Sequence, residues 1–168
     1  MIRRYKTVAL LMLGLGVVPR GIGAQQAIAP EQGTVLFVCE HGTVRSLLAK
    51  VLFEEYARAV GLQMRAVSRG TRADSVVPPW MTRGLAADHV TLGPWRPQTL
   101  RPGDLANASY VVSFDVPRGA TAAARAPQTQ WDGLPSVSQD YPRGRDAIKA
   151  RVHQLVDSLK RAKDKRSS

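Results

Sequence analysis

One cysteine stands in the chain, and the residues after it decide what it can do. Cys39 is followed by Glu40, His41, Gly42, Thr43, Val44, Arg45 and Ser46, the spacing C-x5-R-S. A loop of this length that wraps onto a helix N-terminus points unsatisfied backbone N–H groups inward. The helix dipole there favours negative charge, so the loop can cradle an oxyanion. The same field, with a guanidinium beside it, favours the thiolate, the form in which a thiol is a nucleophile. Arg45 can hold two oxygens of a tetrahedral anion at once and stays charged throughout. Gly42 removes the steric cost of the positive φ that such a loop requires. A lone cysteine is often only a small core hydrophobe. However, Arg and Ser at the sixth and seventh positions after a given Cys arise by chance only about once in several hundred cases at average usage.

For that chemistry to work, a strand must deliver the thiol and a helix must begin at the arginine. Thr34–Cys39 (TVLFVC) is a continuous apolar, β-branched run of the kind buried in a parallel sheet. Arg45–Val60 shows helical periodicity, with Leu47, Leu48, Val51, Leu52, Tyr56, Ala59 and Val60 on one face and Gly61 as a stop. Leu62–Ser68 alternates as a second strand. Pro78 and Pro79 open a weaker helix over Trp80–Asp88, and Leu105–Ala108 reads as a turn. Tyr110–Asp115 (YVVSFD) is another buried-type strand, and Gly119–Gln130 reads as loop or a short helix. Asp146–Ala162 is amphipathic, with Ile148, Val152, Leu155, Val156 and Leu159 inward. The alternation predicts one three-layer α/β domain, residues 34–162, around a small parallel sheet.

Among the 168 residues, 24 are Lys or Arg and 13 are Asp or Glu, a formal charge of +11 that raises nucleic-acid binding as a question. Arg3, Arg4 and Lys6 precede the apolar run Thr7–Val18, and Ile22-Gly23-Ala24 ends in a small residue before Gln25. This is the layout of a secretory signal peptide over residues 1–24, followed by a linker over 25–33. The apolar run is shorter than the roughly 20 residues that span a bilayer, and an uncleaved anchor is the alternative. Four basic residues and no acids lie in that segment, so the remainder carries +7. Lys160–Arg166 adds five basic residues and one acid, leaving about +3 for the body. The basic tail, 163–168, suits a solvated helix end, and no aromatic residues are interleaved in it to stack bases. The expectation is an exported, periplasmic or secreted protein with no nucleic-acid partner. A free thiol in such a location is itself a sign of reactivity.

The segment VLFVCEHGTVRSLLAKVLFEEYA resembles the opening of low-molecular-weight protein tyrosine phosphatases and the related thioredoxin-type arsenate reductases. Val67-Ser68-Arg69-Gly70-Thr71 is similar to the S-A-G-T that follows their second strand, and Arg96-Pro97 to Asp104-Leu105 and Tyr110–Asp115 also match. The likeness covers about Thr34 to Leu159. It implies a flavodoxin-like fold with a four-stranded parallel sheet and the phosphate loop after strand one. It further implies that Cys39 is the nucleophile that forms a phosphocysteine, that Arg45 and the loop Glu40–Ser46 hold the phosphoryl oxygens, and that the Ser46 hydroxyl hydrogen-bonds the thiolate.

The sequence departs from that pattern in places. The loop Asn of the family is Gly42 here, and the second cysteine many members carry before the arginine is Val44. The family's general acid is an Asp in a late Asp-Pro step, and no Asp-Pro occurs in this chain. Asp115, Asp132 and Asp140 are the candidates. Asp132 is favoured because it follows Trp131 and its distance to Arg145-Asp146 resembles the family's; Asp140 suits a helix N-cap. Trp131, Trp95 and Tyr141 could wall a phosphotyrosine site. His41 sits in the loop, where its backbone N–H matters most, and His89 and His153 read as surface residues with no metal spacing among the three. No cofactor or metal is expected.

The expected function is hydrolysis of a phosphorylated protein, phosphotyrosine first, or of a small phosphomonoester, through a phosphocysteine. With one cysteine the chain has no partners for an internal disulfide cascade. An arsenate reductase served by an external thiol, or a non-catalytic oxyanion-binding protein, are the alternatives.

Overall fold

The computed structural model describes residues 33–167. The segment read as a signal peptide, nearly all of the linker after it, and Ser168 lie outside the described residues. Among the described residues, four strands and four α-helices follow one another in the order β1 (Thr34–Cys39), α1 (Arg45–Ala59), β2 (Arg65–Gly70), α2 (Pro79–Ala87), α3 (Pro102–Asn107), β3 (Tyr110–Ser113), β4 (Gln128–Gln130) and α4 (Tyr141–Ser167). A 3₁₀ turn, Arg118–Thr121, stands between β3 and β4. The strands form one all-parallel sheet in the order β2-β1-β3-β4. The fold is flavodoxin-like.

Strand β1 is central and buried from Val35 to Cys39, which is why its sequence is a continuous apolar run. Its side chains alternate between two cores. Val35, Phe37 and Cys39 belong to the larger one, with Leu47, Leu48, Phe53, Met81, Leu85, Ile148 and Val152 from α1, α2 and α4. Leu36 and Val38 face the opposite side, where Leu105 of α3 and Val111 of β3 complete a thinner layer. Phe37 anchors the larger core, with ring centroids 5.9 Å from Phe53, 6.4 Å from Phe114 and 6.2 Å from Trp131.

Several boundaries differ from the sequence expectation. The second strand starts at Arg65 instead of Leu62, because Gly61 and Leu62 are spent turning the chain: Leu62 N donates to Ala57 O at 2.8 Å. Ala49, Phe53 and Ala57 are buried on α1, whereas Ala59 is exposed, so the true inward face is rotated from the one expected. The expected turn at Leu105 is a short helix opened by Pro102, with Asp104 Oδ2 accepting from Arg101 N at 2.9 Å. Within the expected loop, Gln128–Gln130 is a strand. The last helix begins at Tyr141, before the amphipathic pattern does, and continues through Ser167. Among the described residues no helix is long and apolar enough to cross a membrane.

The candidate active site

In an open parallel sheet, ligands bind beyond the carboxyl ends of the strands, where the strand order reverses. Here that point lies between β1 and β3, since the chain steps from β1 to one side for β2 and to the other for β3. Cys39 ends β1, and Phe114 and Asp115 follow β3. A cavity of about 220 Å³ opens there, lined by Cys39, Glu40, His41, Val44 and Arg45, by Phe114 and Asp115, and by Ser136, Val137 and Ser138. A site near this size holds a phosphoryl group and the first atoms of what it is attached to; drug-sized ligands take roughly 300–1,000 Å³.

The loop that follows Cys39 is folded around the sulfur. Gly42 N donates to Cys39 Sγ at 3.2 Å, and Ser46 Oγ lies 3.0 Å from the same sulfur. Ser68 Oγ is 2.8 Å from Ser46 Oγ and 3.0 Å from Gly42 O. Ser46 and Ser68 are fully buried. Each hydroxyl owns one hydrogen, so when Ser68 donates to Ser46, the Ser46 hydrogen is directed at sulfur. With the Gly42 N–H, that arrangement solvates a thiolate without water. Helix α1 begins at Arg45 with no side-chain cap and no acid in its first turn, so its N-terminal dipole faces the loop unopposed.

Two glycines let the loop and the chain after β2 pass in contact. Gly42 has φ +71°, and a Cβ on it would meet Gly70 N at 2.8 Å. A Cβ on Gly70 would meet His41 C at 2.8 Å and Glu40 O at 2.9 Å. The two segments are laced by Thr71 N to Cys39 O (3.0 Å), Arg72 N to Glu40 O (2.8 Å) and Asp74 N to His41 O (3.0 Å). Asp74 then takes His41 Nδ1 at 3.0 Å and Thr43 Oγ1 at 2.9 Å, and Arg72 pairs with Glu40 at the rim. Asp74 and Ser68 carry much of the loop's shape; Ser68 lies within the Val67–Thr71 motif, whereas Asp74 has no spacing signal.

Arg45 reaches Asp115, and the two side chains form an ion pair. Asp115 has φ +45°, a left-handed conformation that costs a non-glycine residue and that Asp tolerates better than most. It is held there from both ends. Asp115 N donates to Asp132 Oδ1 at 2.9 Å, and Gly133 N donates to Asp115 Oδ1 at 3.2 Å. Asp132 Oδ1 also accepts from Gln130 Nε2 at 3.1 Å. Asp132 is thus not among the residues that line the cavity, and its carboxylate is engaged with the backbone behind it. Asp140 accepts from Arg143 N at 3.0 Å, the N-cap role its position suggested.

Trp131, Trp95 and Tyr141, which could have walled the site, do not line the cavity. Trp131 is buried in the core, 5.5 Å from Phe114. The Tyr141 hydroxyl donates to Asp88 at 2.7 Å, between α4 and the end of α2, and Trp95 borders the distant groove of Lys50 and His89. Phe114 is the aromatic residue of the cavity. His89 is exposed, whereas His153 is half-buried and stacks on Tyr56 at 3.8 Å, so it is not a plain surface residue. No group of three or more His, Cys, Asp or Glu placed to hold a metal occurs among the described residues.

The model of the low molecular weight phosphotyrosine protein phosphatase family matches residues 34–131, more than half of the chain. The chain belongs to that family. The match ends at Trp131, so the Asp132–Asp140 segment lies beyond it. Among solved structures, YfkJ from Bacillus subtilis superposes with a TM-score of 0.69 at 18% identity, covering 77% of this chain and 96% of that one. The YwlE arginine phosphatase from Geobacillus stearothermophilus gives 0.66 at 18%, covering 79% and 96%. An arsenate reductase from Archaeoglobus fulgidus gives 0.55 at 26%, covering 73% and 98%. These likenesses establish the fold across phosphatases and reductases alike. No curated protein matches by sequence.

Proposed function

We propose that the protein is a phosphomonoester hydrolase, with phosphorylated protein, phosphotyrosine first, as the favoured substrate, working through a phosphocysteine on Cys39. The observation that carries this reading is the sulfur's setting: Gly42 N–H at 3.2 Å, Ser46 Oγ at 3.0 Å, and the open α1 N-terminus with Arg45 beside it. Phosphoryl oxygens enter the loop and Arg45 grips them. The Cys39 thiolate attacks phosphorus in line, the bond to the leaving oxygen breaks, and a proton is supplied to that oxygen. Water then attacks the phosphocysteine, and the sulfur leaves as a thiolate stabilised by Ser46 and Gly42. Membership of the family and the family's binding of phosphorylated substrates support this reading.

We assign the protein to an extracytoplasmic compartment on the Arg3-Arg4-Lys6 cluster and the apolar run that follows it. Cell fractionation, with the mature N-terminus read by mass spectrometry, is expected to find a chain starting at Gln25.

The activity test uses an aryl phosphate, a phosphotyrosyl peptide, and arsenate with a small thiol. Wild-type protein is expected to release phosphate from the first two, and Cys39→Ser to release none. Turnover that survives in Cys39→Ser overturns the nucleophile. Arsenate reduction without phosphate release assigns the site to the reductase branch instead.

A further inference from the structure

We propose that Asp115 is the proton-transfer carboxylate of this site, with Asp132 as the residue that positions it; this rests on the phosphatase reading above. A thiolate displaces an alkoxide or an unactivated phenolate from phosphorus efficiently only when the leaving oxygen is protonated, so the cavity needs a carboxyl group that faces it. Two carboxylates line the cavity, Glu40 and Asp115. Glu40 is at the rim, turned to Arg72 and within 3.6 Å of His41. Asp115 stands across the crevice from the Cys39 loop, at the β1–β3 switch point, on Arg45 itself.

The backbone around Asp115 is built to hold it there. A positive φ at a non-glycine residue persists only where its surroundings fix it, and such residues gather at functional sites. The Asp132 carboxylate secures Asp115 N, and Gly133 N secures one oxygen of the Asp115 side chain. Gly133 is itself at φ +67°, the conformation that aims its N–H at Asp115. The other oxygen meets Arg45. Asp132, with Oδ1 already accepting from Asp115 N and Gln130 Nε2, acts through Asp115 and not on the substrate.

The ion pair then has a function in the cycle. In the empty site Asp115 neutralises Arg45. An entering phosphoryl group takes the guanidinium and frees the Asp115 carboxyl group to face the leaving oxygen, where it serves as the donor of a proton. As Cys39 sulfur bonds to phosphorus and the phosphorus–oxygen bond breaks, that proton passes to the leaving oxygen. In the second step the Asp115 carboxylate takes a proton from water as the water oxygen attacks phosphorus. The phosphorus–sulfur bond breaks, its electron pair returns to Cys39, and inorganic phosphate departs.

The test compares Asp115→Asn and Asp132→Asn on the full chain with two esters, phenyl phosphate (a poor leaving group) and 2,4-dinitrophenyl phosphate (one that needs no proton). Inorganic phosphate binding is followed by calorimetry. Asp115→Asn is expected to lose about 10²–10³-fold on phenyl phosphate and under about tenfold on the dinitrophenyl ester. It is expected to bind phosphate about threefold or more tightly, because a carboxylate that competes for Arg45 is gone. Asp132→Asn, which loosens the acid without removing it, is expected to show the same leaving-group selectivity as Asp115→Asn to a smaller degree. Equal loss on both esters in Asp115→Asn, with weakened phosphate binding, overturns the proposal and leaves Asp115 as a prop for Arg45. A leaving-group-selective loss in Asp132→Asn alone also overturns it. Wild-type protein that hydrolyses neither ester overturns the phosphatase reading itself, a result distinct from the other two.

Discussion

At the scale of single residues, the site is a problem in where hydrogens go. Cys39 is only 6% exposed, so its anion must be solvated by protein groups, of which Gly42 N–H and Ser46 Oγ are the two in contact. A hydrogen bond to a charged group contributes roughly 1.5–3 kcal/mol. Ser46→Ala is therefore expected to lower kcat/KM for an aryl phosphate about 10–100-fold while leaving far-ultraviolet circular dichroism unchanged. Ser68→Ala removes the group that directs the Ser46 hydrogen, and a loss of about five- to tenfold is expected from a neutral bond worth about 1 kcal/mol. A Ser68→Ala variant as impaired as Ser46→Ala would mean that Ser68 acts instead through Gly42 O and the shape of the loop. At Gly42 the constraint is conformational: with φ +71° and Gly70 N 2.8 Å from a new Cβ, Gly42→Ala is expected to lower thermal stability and activity together. Unchanged melting in that variant would show that the loop can step away from Gly70.

Among the elements, legibility follows from how each one is buried. Strand β1 and helix α1 were legible because a twice-covered strand has to be a continuous apolar run and a one-sided helix has to be periodic. The edge strand β4 was not, because Gln128-Thr129-Gln130 is polar and only β3 calls it into the sheet. The start of α4 was missed for a related reason: Tyr141 to Arg145 is fixed by contacts with α2, which no local periodicity records. Tyr141 and Arg145 both bind Asp88 (2.7 and 2.5 Å), and a Cβ on Gly84 would strike the Tyr141 ring at 2.5 Å. Likewise Cys39, Arg45 and Ser46 are legible by spacing, whereas spacing favours Asp132 and the cavity holds Asp115, since which of the two faces it depends on backbone twists at Asp115 and Gly133. The Tyr141 buckle has a pH signature. Burial first, and then the hydrogen bond to and charge of Asp88, raise the Tyr141 hydroxyl well above the ordinary 10. The folded state thus keeps a proton that the unfolded chain releases, so this contribution is complete below pH 10 and is lost as the pH climbs beyond it. Unfolding followed at pH 8 to 11 is expected to show a steeper alkaline decline in the native chain than in Tyr141→Phe, and parallel curves would show that the buckle opens before the tyrosine ionises.

At the scale of the whole molecule, the sheet and the anion seat are one mechanical unit, so occupancy of the seat should be felt by the fold. The phosphate loop is the link from β1 to α1, and it is laced to the chain after β2 by three backbone hydrogen bonds. Across the crevice, Asp115 and the segment from Asp132 to Ser138 follow the ends of β3 and β4. Nothing in the unfolded chain reproduces this enclosure, so an anion that binds it stabilises the folded state by mass action, about 2.7 kcal/mol at one hundred times its Kd. For a domain of this size that corresponds to a rise of roughly 5–10 °C in Tm. The charge already gathered at the seat complicates the outcome, because Arg45 is engaged by Asp115 before any ligand arrives. Phosphate must therefore displace a carboxylate, and its stabilisation is expected to be larger in Asp115→Asn than in the native chain. Arg45→Met removes the clamp and is expected to abolish the shift while Cys39→Ser retains most of it, since the serine leaves the loop amides and guanidinium in place. Scanning calorimetry with phosphate against sodium chloride of equal ionic strength separates the site from general screening. A shift that persists in Arg45→Met, or that chloride reproduces, would place phosphate on the basic surface of α4 and detach the anion seat from the stability of the fold.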